Sequence, residues 1–256
     1  MRILLGSPDP RHPMPPGLVG VGRTVERADP FEELPAIAQH SGPFDVVLLS
    51  VASCRGQAIG PLREIRRRGL GLPVVILASR SDPETEQEAL HAGADDVIGP
   101  MVATPLLVAR LQAMMRRVLG HSSAQIASGN VLLDQGRAQV SVDGRPVRIT
   151  RREFEVLETL MLRRGVLLTK EQFMARLYAA EDGPENRILD VFVCKLRRKL
   201  AAAGAAEIIR TVWGRGYVVE EPGASAVAAA RARFATGQPR PPRAHLALDG
   251  GPRTAA

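Results

Sequence analysis

Two hydrophobic rhythms run along this chain, and one gives way to the other near residue 120. In the first stretch, short apolar runs at Arg2–Leu5, Thr24–Val25, Asp45–Ser50, Pro73–Ala78 and Asp96–Ile98 lack polar alternation, which predicts strands covered on both faces. Between them, helical spacing predicts helices over Phe31–Gln39, Pro61–Arg68, Pro83–His91 and Pro105–Val118. Three of these open on proline, whose missing N–H costs nothing at a helix start, and Gly93 stops the third. Strands alternating with helices predict an α/β domain, a doubly wound parallel sheet.

The second stretch has a different order. Short β segments at Val131–Leu133, Ala138–Val142 and Val147–Ile149 come first, with Asp143-Gly144 as a hairpin turn between the last two. Thr150 with Glu153, and Thr169 with Gln172, are capping boxes that start two helices. After the loop 179–186, the run Ile188–Leu200 places Leu189, Val193, Leu196 and Leu200 on one helical stripe. Arg187, Val191, Cys194, Lys195 and Arg198 then point away from the stripe at about 100° per residue. Such a face fits a DNA major groove, and it equally fits a solvated surface helix. A strand, a Gly-rich turn and a strand (IIRTV, WGRG, YVV) close the stretch. Strands, three helices and a final hairpin predict a winged-helix α+β domain, which favours the groove reading.

Charge sharpens this division. The formal net charge is +7, yet residues 1–122 carry 13 Arg against 13 acids and are neutral. All three lysines, Lys170, Lys195 and Lys199, lie in the second stretch, where an anionic partner such as double-stranded DNA is expected. Cys54 and Cys194 lie in different segments, which suggests a reducing, cytoplasmic setting without a disulfide framework. No apolar run approaches the ~20 residues needed to span a bilayer, and no membrane association is expected. No nucleophile–base set, metal cluster or phosphate loop stands out, so neither an enzyme nor a cofactor is expected. The organisation reads as residues 1–120, a linker at 121–128, a DNA-binding domain at 129–221 and a disordered basic tail at 222–256.

The first half resembles the receiver domain of bacterial response regulators, a CheY-like fold, on HAGADDVI, FDVVLLS and LPVVILAS. That resemblance implies an acidic pair after the first strand, an acceptor Asp ending the third, a Thr or Ser ending the fourth and a Lys-Pro ending the fifth. Here Ser7-Pro8 replaces the pair, with only Asp9 nearby, and Ser50 replaces the acceptor. Ala78, beside Ser79, and Pro100 occupy the remaining places. Asp45 cannot substitute, since five residues at ~3.3 Å each put it about 17 Å from the carboxyl edge. The receiver is therefore expected to be degenerate, a pseudo-receiver without a phosphoacceptor. Residues 11–22, rich in Pro and Gly, exclude the usual first helix, so the sheet face it would cover needs another cover or stays partly open. Family dimerisation pairs are partly kept in Asp96 and Arg110, and are lost at Glu88, His91 and Leu106.

The second half resembles the effector domain of the OmpR/PhoB class, and its CtrA-like branch in particular. The resemblance rests on ITRREFEVLETL, LLTKEQF, ILDVFVCKLRRKL and TVWGRGYVV. It implies Lys195 as base reader and Arg187 and Arg197 as phosphate contacts. Lys195 and Arg198 have the reach for phosphates or guanine edges. Val191 and Cys194 suit thymine methyls, pointing to A/T-containing half-sites, and CtrA-like proteins bind TTAA-type half-sites. Asp190 either accepts from a base amino group or orients an arginine. Gly214 and Gly216 allow a wing turn that projects Arg215 toward a minor groove. Thr211 and Lys170 are phosphate candidates, and Trp213 is expected to pack within the wing. The reading is a sequence-specific transcription regulator of a two-component phosphorelay class, acting without aspartyl phosphorylation and as a homodimer on DNA, with RNA polymerase as a further partner. The alternative is a regulator gated by a small ligand or antagonist protein bound to the atypical receiver.

Overall fold

The computed structural model describes residues 1–238 except 10, 12, 13, 21, 100 and 178–186; residues 239–256 also lie outside the described set. Five parallel strands form the first domain: β1 (Arg2–Gly6), β2 (Thr24–Arg27), β3 (Val46–Ser53), β4 (Val74–Arg80) and β5 (Asp96–Ile98). Their order in the sheet is β2-β1-β3-β4-β5. The helices are α1 (Leu34–His40), the kinked turn α2 (Cys54–Gln57), α3 (Ile59–Arg67), α4 (Pro83–His91) and α5 (Thr104–Val118). Strand side chains alternate between two cores. Leu4, Val47, Leu49 and Ile76 meet Leu34, Leu62, Ile65 and Ala89 on one face. Ile3, Leu5, Val46, Leu48 and Val75 meet Leu107 and Leu111 of α5 on the other.

Among the described residues no helix links β1 to β2. Leu18, fully buried, and Met14 instead fill part of the face beside α5. The second domain follows in the chain. It begins with an antiparallel sheet, β6 (Gln125–Ser128), β7 (Val131–Asp134), β8 (Gln139–Val142) and β9 (Arg145–Pro146). The first of these strands lies inside the stretch expected to be linker. Its pairing with β7 decides that, and local polarity could not reveal it. Asp143 and Gly144 both take positive φ (48° and 76°), the geometry of a tight hairpin turn.

Three helices follow: α6 (Arg151–Leu162), α7 (Lys170–Leu177) and α8 (Arg187–Ala202), with β10 (Leu168–Thr169) between the first two. Both capping boxes form: Thr150 accepts from the Glu153 N–H, and the Thr169 N–H donates to Gln172 Oε1 at 3.1 Å. β11 (Ile209–Val212) and β12 (Gly216–Val219) make the hairpin, and the small sheet runs β10-β12-β11. Gly216 is required at its place, because a Cβ there would stand 2.0 Å from the Leu168 carbonyl oxygen. The expected stripe of Leu189, Val193, Leu196 and Leu200 is buried with Phe154, Leu157, Phe173 and Val219.

The structure departs from the expected disorder after residue 222. Ala224–Thr236 is a helix, α9. Its alanine-rich sequence favours helix, and Val227 and Ala230 pack on Ala206. Arg231 donates to Asp143 at 2.8 Å, and the Arg145 guanidinium lies 4.1 Å from the Phe234 ring centre.

The two domains meet at the amino edge of the parallel sheet. Asp45, just before β3, accepts from the Arg2 N–H at 2.7 Å. The same carboxylate is ion-paired with Arg163, after α6, and with Arg176 of α7 at 3.3 Å. All three charged groups are nearly or fully buried. α7 packs on β2, where the Thr24 hydroxyl donates to the Ala175 carbonyl at 3.2 Å.

Candidate nucleic-acid interface

The outward face of α8 carries the residues that the helical arithmetic placed there. Val191 is 47% exposed, and Cys194, Lys195 and Arg198 are exposed beside it. Arg187 opens the helix, but its side chain lies outside the described residues. Two apolar-to-soft surfaces and two cations thus share one side of a rigid helix, anchored from behind by four buried aliphatic residues.

Asp190 faces a different way. It accepts from Lys170 Nζ at 2.7 Å and from the Tyr217 hydroxyl at 2.6 Å. Burial pushes its carboxyl up, but the hydrogen bonds from Lys170 and Tyr217 outweigh that and hold it below the usual carboxylate range. The carboxylate therefore ties the start of α8 to α7 and to the wing, a role outside both alternatives read from the sequence. Lys170 spends its ammonium on the same contact.

Arg197 also turns toward the wing. Its guanidinium donates to the Ile209 carbonyl and to the Thr211 hydroxyl, each at 2.9 Å, and lies 5.7 Å from the Tyr217 ring centre. Tyr217 thus touches both Asp190 and Arg197, a position that the strand pattern alone did not single out. Behind the interface, Lys199 donates to Glu153 Oε2 at 2.6 Å. Burial raises the Glu153 carboxyl, and Lys199 together with the Thr150 backbone N–H pulls it below its ordinary value.

At the wing tip Gly214 has φ of +70°, and the Arg215 N–H bonds the Val212 carbonyl at 3.0 Å. This tight turn leaves Arg215 exposed. Trp213 is 75% exposed, so it stands out from the wing where packing was expected.

At the carboxyl edge of the first domain, Ser50 is buried at the place of an acceptor Asp and faces Leu77 and Ala78. The Ser7 hydroxyl donates to the Asp9 carbonyl at 3.0 Å, and the Asp9 carboxylate accepts from the Arg11 N–H at 2.9 Å. Pro100 lies outside the described residues. Asp96 and Arg110 pair with each other within one chain, at 2.9 Å. Among the described residues no group of three or more His, Cys, Asp or Glu is placed to hold a metal ion, and no helix is long and apolar enough to cross a membrane.

Residues 144–219 match the family model described as "Transcriptional regulatory protein, C terminal". The chain is 39% identical over 180 residues to the cell cycle transcriptional regulator CtrA of Caulobacter vibrioides, covering 70% of this chain and 78% of that protein. It is 39% identical over 182 residues to the cell cycle response regulator CtrA of Brucella anthropi, covering 71% and 78%. Among solved structures it is similar to DrrB, an OmpR/PhoB homolog from Thermotoga maritima, with TM-score 0.38 and 21% identity over 86% of this chain and 98% of that one. The DNA-binding domain of Klebsiella pneumoniae RstA, solved with its RstA box, matches with TM-score 0.33 and 26% identity over 38% of this chain and 98% of that one. On the strength of the CtrA relatives, the chain belongs to the CtrA family of transcriptional regulators.

Proposed function

We propose that this regulator binds double-stranded DNA sequence-specifically through α8 and the wing, on A/T-containing half-sites, as a cytoplasmic homodimer that acts without aspartyl phosphorylation. The observation that carries the reading is the exposed set Val191, Cys194, Lys195 and Arg198 on a helix braced from behind. Lys195 is the base reader, with Arg198 beside it, and Arg215 probes the minor groove from the wing tip. Arg187 and Thr211 are phosphate contacts, as is Arg197 if it releases the wing on binding. Lys170 and Asp190 serve as a brace at the helix start. RNA polymerase is a further partner, and Asp96 with Arg110 are dimerisation residues once their intrachain pair opens. Fluorescence anisotropy on a duplex holding two TTAA-type half-sites, against a scrambled duplex of equal length, tests the specificity. Equal affinity for both duplexes would sink it.

Phosphorylation independence rests on Ser50, because an acyl phosphate requires a carboxylate at that place. Treatment with acetyl phosphate is expected to leave both the intact mass and the DNA affinity unchanged. A second reading, gating of the receiver by a small ligand, is favoured by one feature of the same edge, the cavity above Ser50.

A further inference from the structure

Ligands of open parallel sheets bind at the carboxyl ends of the strands, and in this chain that end is hollow. A cavity of about 540 Å³ lies there, walled by Met14, Pro16, Leu77, Met101 and Thr104, among others, with Ser50 beneath. Its volume is that of a small-molecule site. Among the described residues none of its lining side chains is charged. Ser50 is only 3% exposed and lines the cavity, so a bound molecule is placed to reach its hydroxyl.

Three departures from the receiver pattern open this one space. Ser50 is shorter than an acidic residue, Ala78 is small and buried, and residues 14–16 form a wall where a helix would begin. The wall is pinned: the Thr104 hydroxyl donates to the Pro16 carbonyl at 2.7 Å. Further along the same loop, Gly22 packs on the second domain, where a Cβ would stand 2.9 Å from the Glu155 carboxyl carbon. The cavity wall is therefore continuous with the interdomain contact.

We propose that the cavity binds a neutral, mainly apolar small molecule that hydrogen-bonds to Ser50 Oγ. Among the described residues of the lining an anion or a phosphorylated compound finds no cation, and a cation finds no carboxylate. The inference rests on the reading that aspartyl phosphorylation has been given up here, since a phosphorylated residue at this place would occupy the same space.

The test uses the full chain with methionine methyl groups labelled for NMR, and Nile red, a neutral aromatic dye with an acceptor carbonyl, as the probe. Binding is expected to saturate and to shift the Met14 and Met101 methyl resonances, leaving Met161 in the second-domain core unmoved. Gly99 lines the cavity, and a Cβ built on it meets no atom within 4 Å. Gly99→Phe should therefore fill the space and weaken the dye at least tenfold without disturbing the fold. Ser50→Ala should weaken it about threefold. Unmoved Met14 and Met101 methyls, or dye affinity unchanged by Gly99→Phe, would overturn the proposal. So would displacement of the dye by inorganic phosphate, tighter dye binding after removal of residues 239–256, or concentration-dependent methyl shifts without dye, since these mark an anion, the tail or a second copy as the occupant. A stable adduct with acetyl phosphate would refute the phosphorylation reading separately, whatever the dye shows.

Discussion

Lys195 and Asp190 are five residues apart on α8, and their surroundings give them opposite work. Lys195 is exposed on the outward face, whereas Asp190 is held by Lys170 and Tyr217. A residue that reads bases changes the ratio of affinities between sites, and one that braces the helix changes stability instead. Lys195→Ala is expected to reduce discrimination between the A/T site and a scrambled one by roughly 1–3 kcal/mol. The check is anisotropy on both duplexes at one salt concentration, and a uniform loss on both would assign Lys195 to phosphate contact. Tyr217→Phe removes one hydrogen bond to a carboxylate and is expected to lower unfolding stability by about 1.5–3 kcal/mol, the range for bonds to charged groups. Denaturant melts at neutral pH measure it, and an unchanged midpoint would show that Lys170 alone suffices. The outward set was legible because 100° per residue is a local rule. The partners of Asp190 and Arg197 were not, because they come from α7 and from the hairpin folding back, 12 to 27 residues away.

At the scale of elements, α9 shows where pattern reading loses its grip. A helix that docks by two small contacts, Val227 and Ala230, has no apolar stripe to detect. Its alanines carry propensity, and its remaining anchors, Arg231 on Asp143 and Phe234 against Gly204, are contacts to distant segments. β6 was missed for a related reason: its strand character comes from pairing with β7 rather than from its own residues. The capping boxes and the buried stripe of α8, by contrast, are short-range or periodic signals, and both formed as read. Removing residues 223–256 deletes α9 and exposes the surface under Val227. A loss of about 1–3 kcal/mol in stability of the second domain is expected, in line with burial of one to two small aliphatic side chains. Thermal melts of the truncated and full chains decide it. A shortened chain as stable as the parent would make α9 a passive extension.

The whole molecule is held in one arrangement by a charge cluster that neither domain could satisfy alone. Asp45 belongs to the first domain and Arg163 and Arg176 to the second, so the cluster exists only when they are docked. A second contact supports the docking, since α7 lies against the edge strand β2. The sequence reading excluded Asp45 as an acceptor but had no means of finding its partners, which lie 118 and 131 residues away. Breaking a buried ion pair leaves uncompensated charge and costs about 3–5 kcal/mol, so Asp45→Asn is expected to separate the domains while leaving each folded. The pH dependence gives a second readout. Burial raises the Asp45 carboxyl, but Arg163 and Arg176 outweigh burial and hold it below the ordinary value, about 3.9 for Asp. A depressed carboxylate contributes stability that is fully present above the unfolded value and is lost as pH falls through the folded one. The contribution of Asp45 to docking should therefore be constant between about pH 5 and 8 and be lost only well below 4. Small-angle scattering across that range should show the parent chain expanding only at the acid end, and Asp45→Asn already expanded at neutral pH. An Asp45→Asn chain as compact as the parent would mean that α7 and β2 hold the domains together without the charges.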